Sequence, residues 1–430
     1  MMGQIIFFCL FTLAVAVFAR NARRIYKNIM LGKAVNRSDR PVERLQLMLL
    51  VAFGQKKMFK KPLPALLHLC VYVGFCIINI EMLEIVIDGL FGTHRVFSSL
   101  GSVYNGLIYA FEWLAFAVLF SCVIFLIRRN ALHIYRFSGR ELKNWPKTDA
   151  NLILIAEILL MTAFLFMNAA DYKLQQLNHP AYHHAGAFPV SQFLLPLLPE
   201  SAFTLVGLER FCWWFHIIGV LAFLNYLPIS KHLHIILAFP NTYFSRLEPK
   251  GKFNNMSAVT EEVKVMLDPS LPPPTGEISR FGVKDVQDLT WKNLLDAYTC
   301  TECGRCTAAC PANITGKLLS PRKIMMDTRD RLVEVGQNMA KNGAFQDDNK
   351  SLIDTYITRE EIWACTTCNA CVEACPVNID PLEIIIGLRQ YAVMEESQAP
   401  ASINAMFGNL ENNGAPWKYA QADRANWTNL

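Results

Sequence analysis

Five apolar stretches set the first constraint on this chain, because about 20 predominantly apolar residues are what an α-helix needs to cross roughly 30 Å of hydrocarbon. They run over Gly3 to Ala19, Leu63 to Leu90, Val103 to Ile127, Leu152 to Asn168 and Ala202 to Leu227, the last with room to continue past Pro228. Backbone groups in lipid must be satisfied within their own segment, so each stretch is expected to be helical. The first resembles a signal peptide only superficially. No small-residue cleavage site follows it, and Arg20, Arg23 and Arg24 lie on its far side, so it reads as an uncleaved span. The composition, 53% hydrophobic and 18% charged over 430 residues, excludes a disordered chain and weighs against a wholly soluble enzyme.

The basic residues orient these spans. Arg20 to Lys61 holds twelve Lys and Arg and Arg128 to Lys147 holds six, whereas the loops between hold one each, Arg95 and Lys173. By the positive-inside rule both basic loops are cytoplasmic, the N-terminus is outside, and everything after Lys231 is cytoplasmic. The expected location is the bacterial inner membrane. The net charge of +5 is confined largely to these loops, so a nucleic-acid partner is not expected.

Polar groups inside spans are costly and mark candidate function. Asn79, Glu81, Glu84 and Glu112 stand out, with Glu157 and Asn225 behind them. As a set, Glu81, Glu84 and Glu112 suit a protonatable route or a quinone pocket; individually they suit hydrogen bonds between helices. Among the histidines, His68 lies near the cytoplasmic end of the second span. His216 and His234 would share one face of a continuous fifth helix, ~27 Å apart, with His232 on the opposite face. A b-type haem needs two axial imidazoles at equal depth, and depth pairs His68 with His234; His216 is a further candidate without a histidine partner in the second span. His179, His183 and His184 in the outer loop read as solvated.

Thirteen cysteines include two tight clusters. The first is Cys300-x-x-Cys303-x-x-Cys306-x-x-x-Cys310-Pro311 and the second Cys365-x-x-Cys368-x-x-Cys371-x-x-x-Cys375-Pro376. In such a pair, three thiolates of one copy and the fourth of the other hold each 4Fe–4S cube. Cys300, Cys303, Cys306 and Cys375 are therefore expected to hold one cluster, and Cys365, Cys368, Cys371 and Cys310 the other. Zinc sites use two pairs separated by a longer stretch. The remaining cysteines lie in apolar spans and read as packing residues. Between the copies, Ser320-Pro321 and the capping box Thr358 to Glu361 predict helices, and Asp380-Pro381 opens another through Gln390, so the module is expected to be helical.

On these residues the chain resembles a known group. Spans two to five resemble the cytochrome b subunit of respiratory nitrate reductase and the membrane subunit of heterodisulfide reductase. The cysteine runs with the intervening GKLLSPRKI resemble the iron–sulfur part of heterodisulfide reductase and of membrane oxidoreductases serving electron-transfer flavoprotein. The resemblance implies an all-α fold: a five-helix bundle over residues 1–239 with haem b and quinone, a proline-rich linker over 240–290 (Pro269, Pro272, Pro273, Pro274), a dicluster ferredoxin domain over 291–393, and a docking tail over 394–430. It implies a soluble donor such as electron-transfer flavoprotein or a dithiol system. It also implies a cysteine-rich subunit with a CCG signature, expected on another protein because the chain stops at Leu430. In the nitrate reductase pattern the second helix supplies two haem ligands; here only His68 matches. The leading expectation is an electron-transfer subunit between a cytoplasmic partner and the quinone pool. A quinol-driven disulfide reductase runs the same wire backwards, and a redox-sensing scaffold or an ion-translocating subunit represents a different class.

Overall fold

A computed structural model describes residues 1–253, 255–272 and 280–429. Pro273 and Pro274 of the expected linker lie outside the described residues. The fold is all-α; among the described residues the only β-type pairings are two isolated bridges, Lys33 with Thr290 and Ile353 with Ile357. It divides into two compact units. The first comprises Met1–Lys27, Arg40–Tyr243 and Tyr298–Gly304, the second Asn28–Asp39, Phe244–Ala297 and Arg305–Leu430.

Five helices of the first unit are long and apolar enough to cross a membrane: α1 (Met2–Ile29), α2 (Pro62–Phe91), α3 (Ser102–Asn130), α4 (Trp145–Gln176) and α5 (Ala202–Tyr226). The first four run beyond their apolar stretches, whereas α5 starts with its stretch and ends one residue short of it. Pro62 opens α2 at a position where its missing N–H costs nothing, and Gly92 closes it in the left-handed conformation. Helices α2 to α5 pack in sequence order, α2 on α3, α3 on α4 and α4 on α5. Lipid supplies little hydrophobic drive between helices, so close packing and interhelical hydrogen bonds hold them. Gly89 of α2 illustrates the first. A Cβ there would come within 2.5 Å of the Phe7 ring of α1, so the missing side chain is what lets α1 approach. Asn225 of α5 illustrates the second, donating to the Ala14 carbonyl of α1 at 3.1 Å.

Helix α5 does not continue past Pro228. It ends at Tyr226, a 3-10 turn covers Leu227–Ile229 and another Lys231–Leu233, and a new helix, α6, begins at His234 and runs to Tyr243. Proline lacks the N–H that the next helical turn would use, and the Ser230 hydroxyl instead accepts from the His232 N–H at 3.0 Å. The shared helical face expected for His216 and His234 therefore does not exist.

The second unit is built on α7 (Trp291–Thr299), α8 (Arg305–Ala309), α9 (Pro321–Asn342), α10 (Arg359–Trp363), α11 (Ala370–Ala374), α12 (Pro381–Met394) and α13 (Ala401–Asn413). The predicted caps are in place. Ser320 accepts from Lys323 N–H, Thr358 and Glu361 form a reciprocal capping box, and Asp380 accepts from Leu382 and Glu383 N–H groups. Helix α12 runs four residues past the predicted end at Gln390. The hub of the unit is Arg331, a fully buried side chain on α9. It donates to Asp285 at 2.7 Å, to Asp348 at 2.6 Å and to the Lys350 carbonyl at 3.0 Å, fastening the loop after α9.

Removing Arg331 strands those carboxylates, so Arg331→Met is expected to destabilise the second unit by about 3 kcal/mol, as for a broken buried ion pair. The Arg331 hydrogen bond also holds Asp348 below the ordinary carboxylate range. That contribution is present above the unfolded pKa and is lost as pH falls through the folded one. Thermal unfolding across acidic pH should therefore show a shallower pH dependence in the variant.

Candidate redox site

The two cysteine motifs adopt the same backbone. In the first, Glu302 and Gly304 have positive φ, 53° and 70°; in the second, the equivalent Thr367 and Asn369 have 55° and 59°. Each left-handed residue precedes or follows the middle cysteine and turns the chain there, a backbone shape of the kind that forms anion-binding concavities. The Thr367 N–H points at Cys365 Sγ at 3.4 Å and the Ile379 N–H at Cys375 Sγ at 3.3 Å. Between the third and fourth cysteines lies a short helix, α8 in one copy and α11 in the other, and the two pack together. Each fourth cysteine is itself extended at the end of that helix and is followed by a proline.

Cys310, from the first motif, lies beside the second. Its thiol is within electrostatic range of both Cys365 and Cys371. Burial pushes the Cys365 and Cys371 thiols up, so without iron they hold their protons; coordination by a cationic cluster reverses this. Among the described residues no three His, Cys, Asp or Glu side chains converge on one ion, whereas a cube needs its four donors spread around it. The donor chemistry and the N–H groups that Thr367 and Ile379 aim at cysteine sulfurs fit such a cluster. Cys306 is half-buried and Cys375 buried in the second unit; Cys300, buried, and Cys303, half-buried, sit in the Tyr298–Gly304 segment of the first.

Of the second motif, Cys368 is exposed. Nearby, Arg389 donates to the Ile362 carbonyl at 2.9 Å and the Cys365 carbonyl at 2.5 Å and lies over the Trp363 ring, 5.0 Å from its centroid. Trp363 and Ala364 line a groove of about 800 Å³ with Arg359, Lys317, Pro400 and Asn404. No sequence pattern had marked Arg389 or Trp363.

In the membrane unit, His232 and His234 flank the turn after α5 with ring centroids 5.5 Å apart. Burial pushes His232 down to about 3, with the neighbouring His234 and His68 adding to it, and burial also lowers His234. His68, His232 and His234 thus form one group. The break at Pro228 brings in His232, which a continuous helix would have turned away. His234 Nδ1 donates to the Lys231 carbonyl at 3.0 Å, the bond that fixes the ring and leaves Nε2 for a metal. His216 is buried, donates from Nδ1 to the Leu160 carbonyl at 3.1 Å and packs near Phe164, so it meets α4.

The intramembrane carboxylates separate into two kinds. Glu84 accepts from Phe97 N–H at 2.8 Å and Tyr104 hydroxyl at 3.0 Å. Glu112 accepts from Val190 and Ser191 N–H groups at 2.9 and 3.0 Å, from the Ser191 hydroxyl, and from Asn168 at 3.2 Å. Both hold loops onto the bundle. Their network centres on Arg95, which donates to Asp171 at 2.6 Å, Asn168 at 2.9 Å and Tyr104 at 2.9 Å. Arg95 had counted only as the basic residue of an outer loop; its place between acidic spans was the available signal. Glu81 is equally buried, yet among the described residues its Oε2 has no hydrogen-bond donor.

Five apolar helices joined to a duplicated cysteine module define a class of protein: a membrane protein carrying a two-cluster iron–sulfur domain. A family model described as a 4Fe–4S dicluster domain matches residues 292–376, a span that contains all eight motif cysteines. The chain is homologous to a Bacillus subtilis protein named probable iron-sulfur-binding oxidoreductase FadF, 30% identical over 99% of this chain and 60% of that one. It is 27% identical to the EtfAB:quinone oxidoreductase of Syntrophomonas wolfei, over 91% of this chain and 55% of that one. One component of the ferredoxin:CoB-CoM heterodisulfide reductase of Methanosarcina mazei is 33% identical over 25% of this chain and 52% of its own length. The chain thus spans somewhat over half the length of the Bacillus subtilis and Syntrophomonas wolfei relatives. No solved structure matches it.

The position of Cys310 leads to a direct test. Low-temperature EPR of Cys310→Ser should show loss or conversion of the cluster held by the second motif with the other intact, whereas Cys300→Ser should affect the opposite one. Loss of the same signal in both variants would contradict crossed ligation.

Proposed function

We propose that this chain is a membrane electron-transfer subunit that passes electrons from a cytoplasmic partner to the quinone pool. The observation that carries the reading is the neighbourhood of Cys310 and the second motif, which supports a pair of clusters sharing ligands within one module. Cys365, Cys368, Cys371 and Cys310 would hold one cube, and Cys300, Cys303, Cys306 and Cys375 the other. His68 and His234 would be the axial ligands of one b-type haem, with His234 oriented by the Lys231 carbonyl and His232 packed against it. No haem is assigned to His216. When bound, these groups supply one-electron carriers; the chain's own residues hold them, exclude water and deliver protons.

Electrons enter at the second motif, where Cys368 is exposed beside the groove at Trp363. The donor is an electron-transfer flavoprotein, a choice supported by the name of the Syntrophomonas wolfei relative. A cysteine-rich subunit docks on the tail, whose Phe407, Leu410, Trp417 and Trp427 are exposed. Quinone reduction takes up protons, and Glu81 is the residue proposed to supply one, since Glu84 and Glu112 are committed to loop contacts. The N-terminus is outside and the iron–sulfur module cytoplasmic, in the bacterial inner membrane, as the basic loops imply. The heterodisulfide reductase match supports a second reading, a quinol-driven disulfide reductase using the same groups in the opposite direction.

Spectra of the purified full chain test this reading. The wild type should show a b-type haem band that a quinol analogue reduces. His68→Ala and His234→Ala should each abolish it, and His232→Ala should keep the haem with an altered spectrum. Glu81→Gln should retain clusters and haem while quinone reduction falls by about 10²-fold, the usual loss of a positioned proton donor. A haem-free wild type, or full haem in His234→Ala, would contradict the assignment.

A further inference from the structure

Between the first two cysteines of the first motif, Glu302 makes a contact that cluster ligation does not require. Its carboxylate is paired with the Lys231 ammonium, and the two side chains are only 3% and 9% exposed. Both residues belong to the first compact unit, because Tyr298–Gly304 groups with the membrane helices. Burying two charges is expensive, and such a pair persists only where its surroundings satisfy it. They do so here. Lys231 Nζ also donates to the Pro146 carbonyl at 2.6 Å and lies 3.8 Å from Asp149. Asp149 in turn accepts from the Tyr226 hydroxyl at 2.5 Å, the Ser230 hydroxyl at 2.7 Å and the Lys231 N–H at 3.1 Å. The turn that Pro228 forces is thereby built into a rigid seat for one lysine.

That lysine faces two ways. Its side chain reaches Glu302, the residue next to Cys303, and its carbonyl accepts from His234 Nδ1 at 3.0 Å. Covalent and hydrogen bonds therefore run without interruption from Cys303 through Glu302 and Lys231 to the His234 ring. Glu302 itself has φ 53°, a conformation uncommon outside glycine and asparagine, and it keeps that shape while its side chain is engaged by the lysine.

We propose that Lys231 and Glu302 are positioning residues that dock the first cysteine loop on the histidine turn, so that the cluster held by Cys300 and Cys303 is the one that exchanges electrons with the membrane haem. This rests on the electron-transfer reading above and names the contact through which it runs. One electron moves at a time, the cluster being oxidised as the haem iron is reduced, with no bond made or broken. The order of carriers follows: soluble donor, second-motif cluster, first-motif cluster, haem.

The test uses the full chain with clusters and haem in place. Lys231→Met and Glu302→Gln should each slow haem reduction by the pre-reduced clusters about tenfold, as expected when a buried docking pair is broken. Hydrogen exchange of the 298–304 amides should accelerate in both. EPR redox titration should show the first-motif cluster's potential falling in Lys231→Met, which leaves an unbalanced negative charge, and rising in Glu302→Gln, which leaves a positive one. Opposite shifts are not produced by simple loosening of structure. Lys231→Arg should restore both rate and exchange. If Lys231→Met assembles without the first-motif cluster, Glu302→Asp is read instead. It keeps the charge but shortens the reach, and it should move rate and exchange in the same sense by a smaller factor. Native rate and exchange in the variants would overturn the proposal. A wild-type chain whose reduced clusters fail to reduce the haem would instead overturn the functional reading itself.

Discussion

The requirement that backbone groups find partners in a medium without water organises this protein. Four of the five long helices meet it along an uninterrupted span. The fifth meets Pro228 at its C-terminal end, loses a donor, and has to satisfy its last carbonyls and the following N–H groups by other means. The Leu227 carbonyl accepts from the Ser230 N–H, while Asp149 and the Ser230 hydroxyl accept from the Lys231 and His232 N–H groups. The result is a tight, polar turn at the place where a helix would otherwise have carried His232 and His234 to opposite sides, and three histidines gather there because of it. A substitution that relaxed this turn would act on the histidines and on Lys231 together.

The cysteine module is held by different means. Its loops are short and are kept open by left-handed residues rather than by packing, and the surrounding helices fix their ends with N-caps at Ser320, Thr358 and Asp380. Arg331 and Arg389 are the buried or half-buried cations that tie loops to this helical frame. Arg389 keeps a positive charge against the backbone of Cys365.

Much of this was legible in the amino-acid order. Apolar length marked the five spans, and Cys-Pro after a triple of cysteines marked the module, because both signals are local and their physics tolerates few alternatives. Capping residues predicted helix starts correctly for the same reason. What was not legible depended on long-range pairing. Helical phase separated His232 from His234, and only the break at Pro228 places them side by side. Glu81, Glu84 and Glu112 looked equivalent as acidic residues in spans, yet a loop more than 70 positions away satisfies Glu112, while Glu81 Oε2 has no donor among the described residues. Arg95 was invisible as a hub because its partners come from different helices. Glu302 read as a spacer between cysteines until Lys231, 71 positions earlier, supplied its partner.

In the proposed function one chain carries electrons from a soluble flavoprotein through two clusters to a haem in the membrane. Rapid-freeze EPR combined with optical stopped-flow on the full chain in lipid nanodiscs, mixed with reduced electron-transfer flavoprotein, tests it most directly. The account predicts that the cluster perturbed in Cys310→Ser is reduced first, the other cluster next, and the haem last. Haem reduction that precedes the clusters, or clusters that become reduced while the haem stays oxidised, would contradict it.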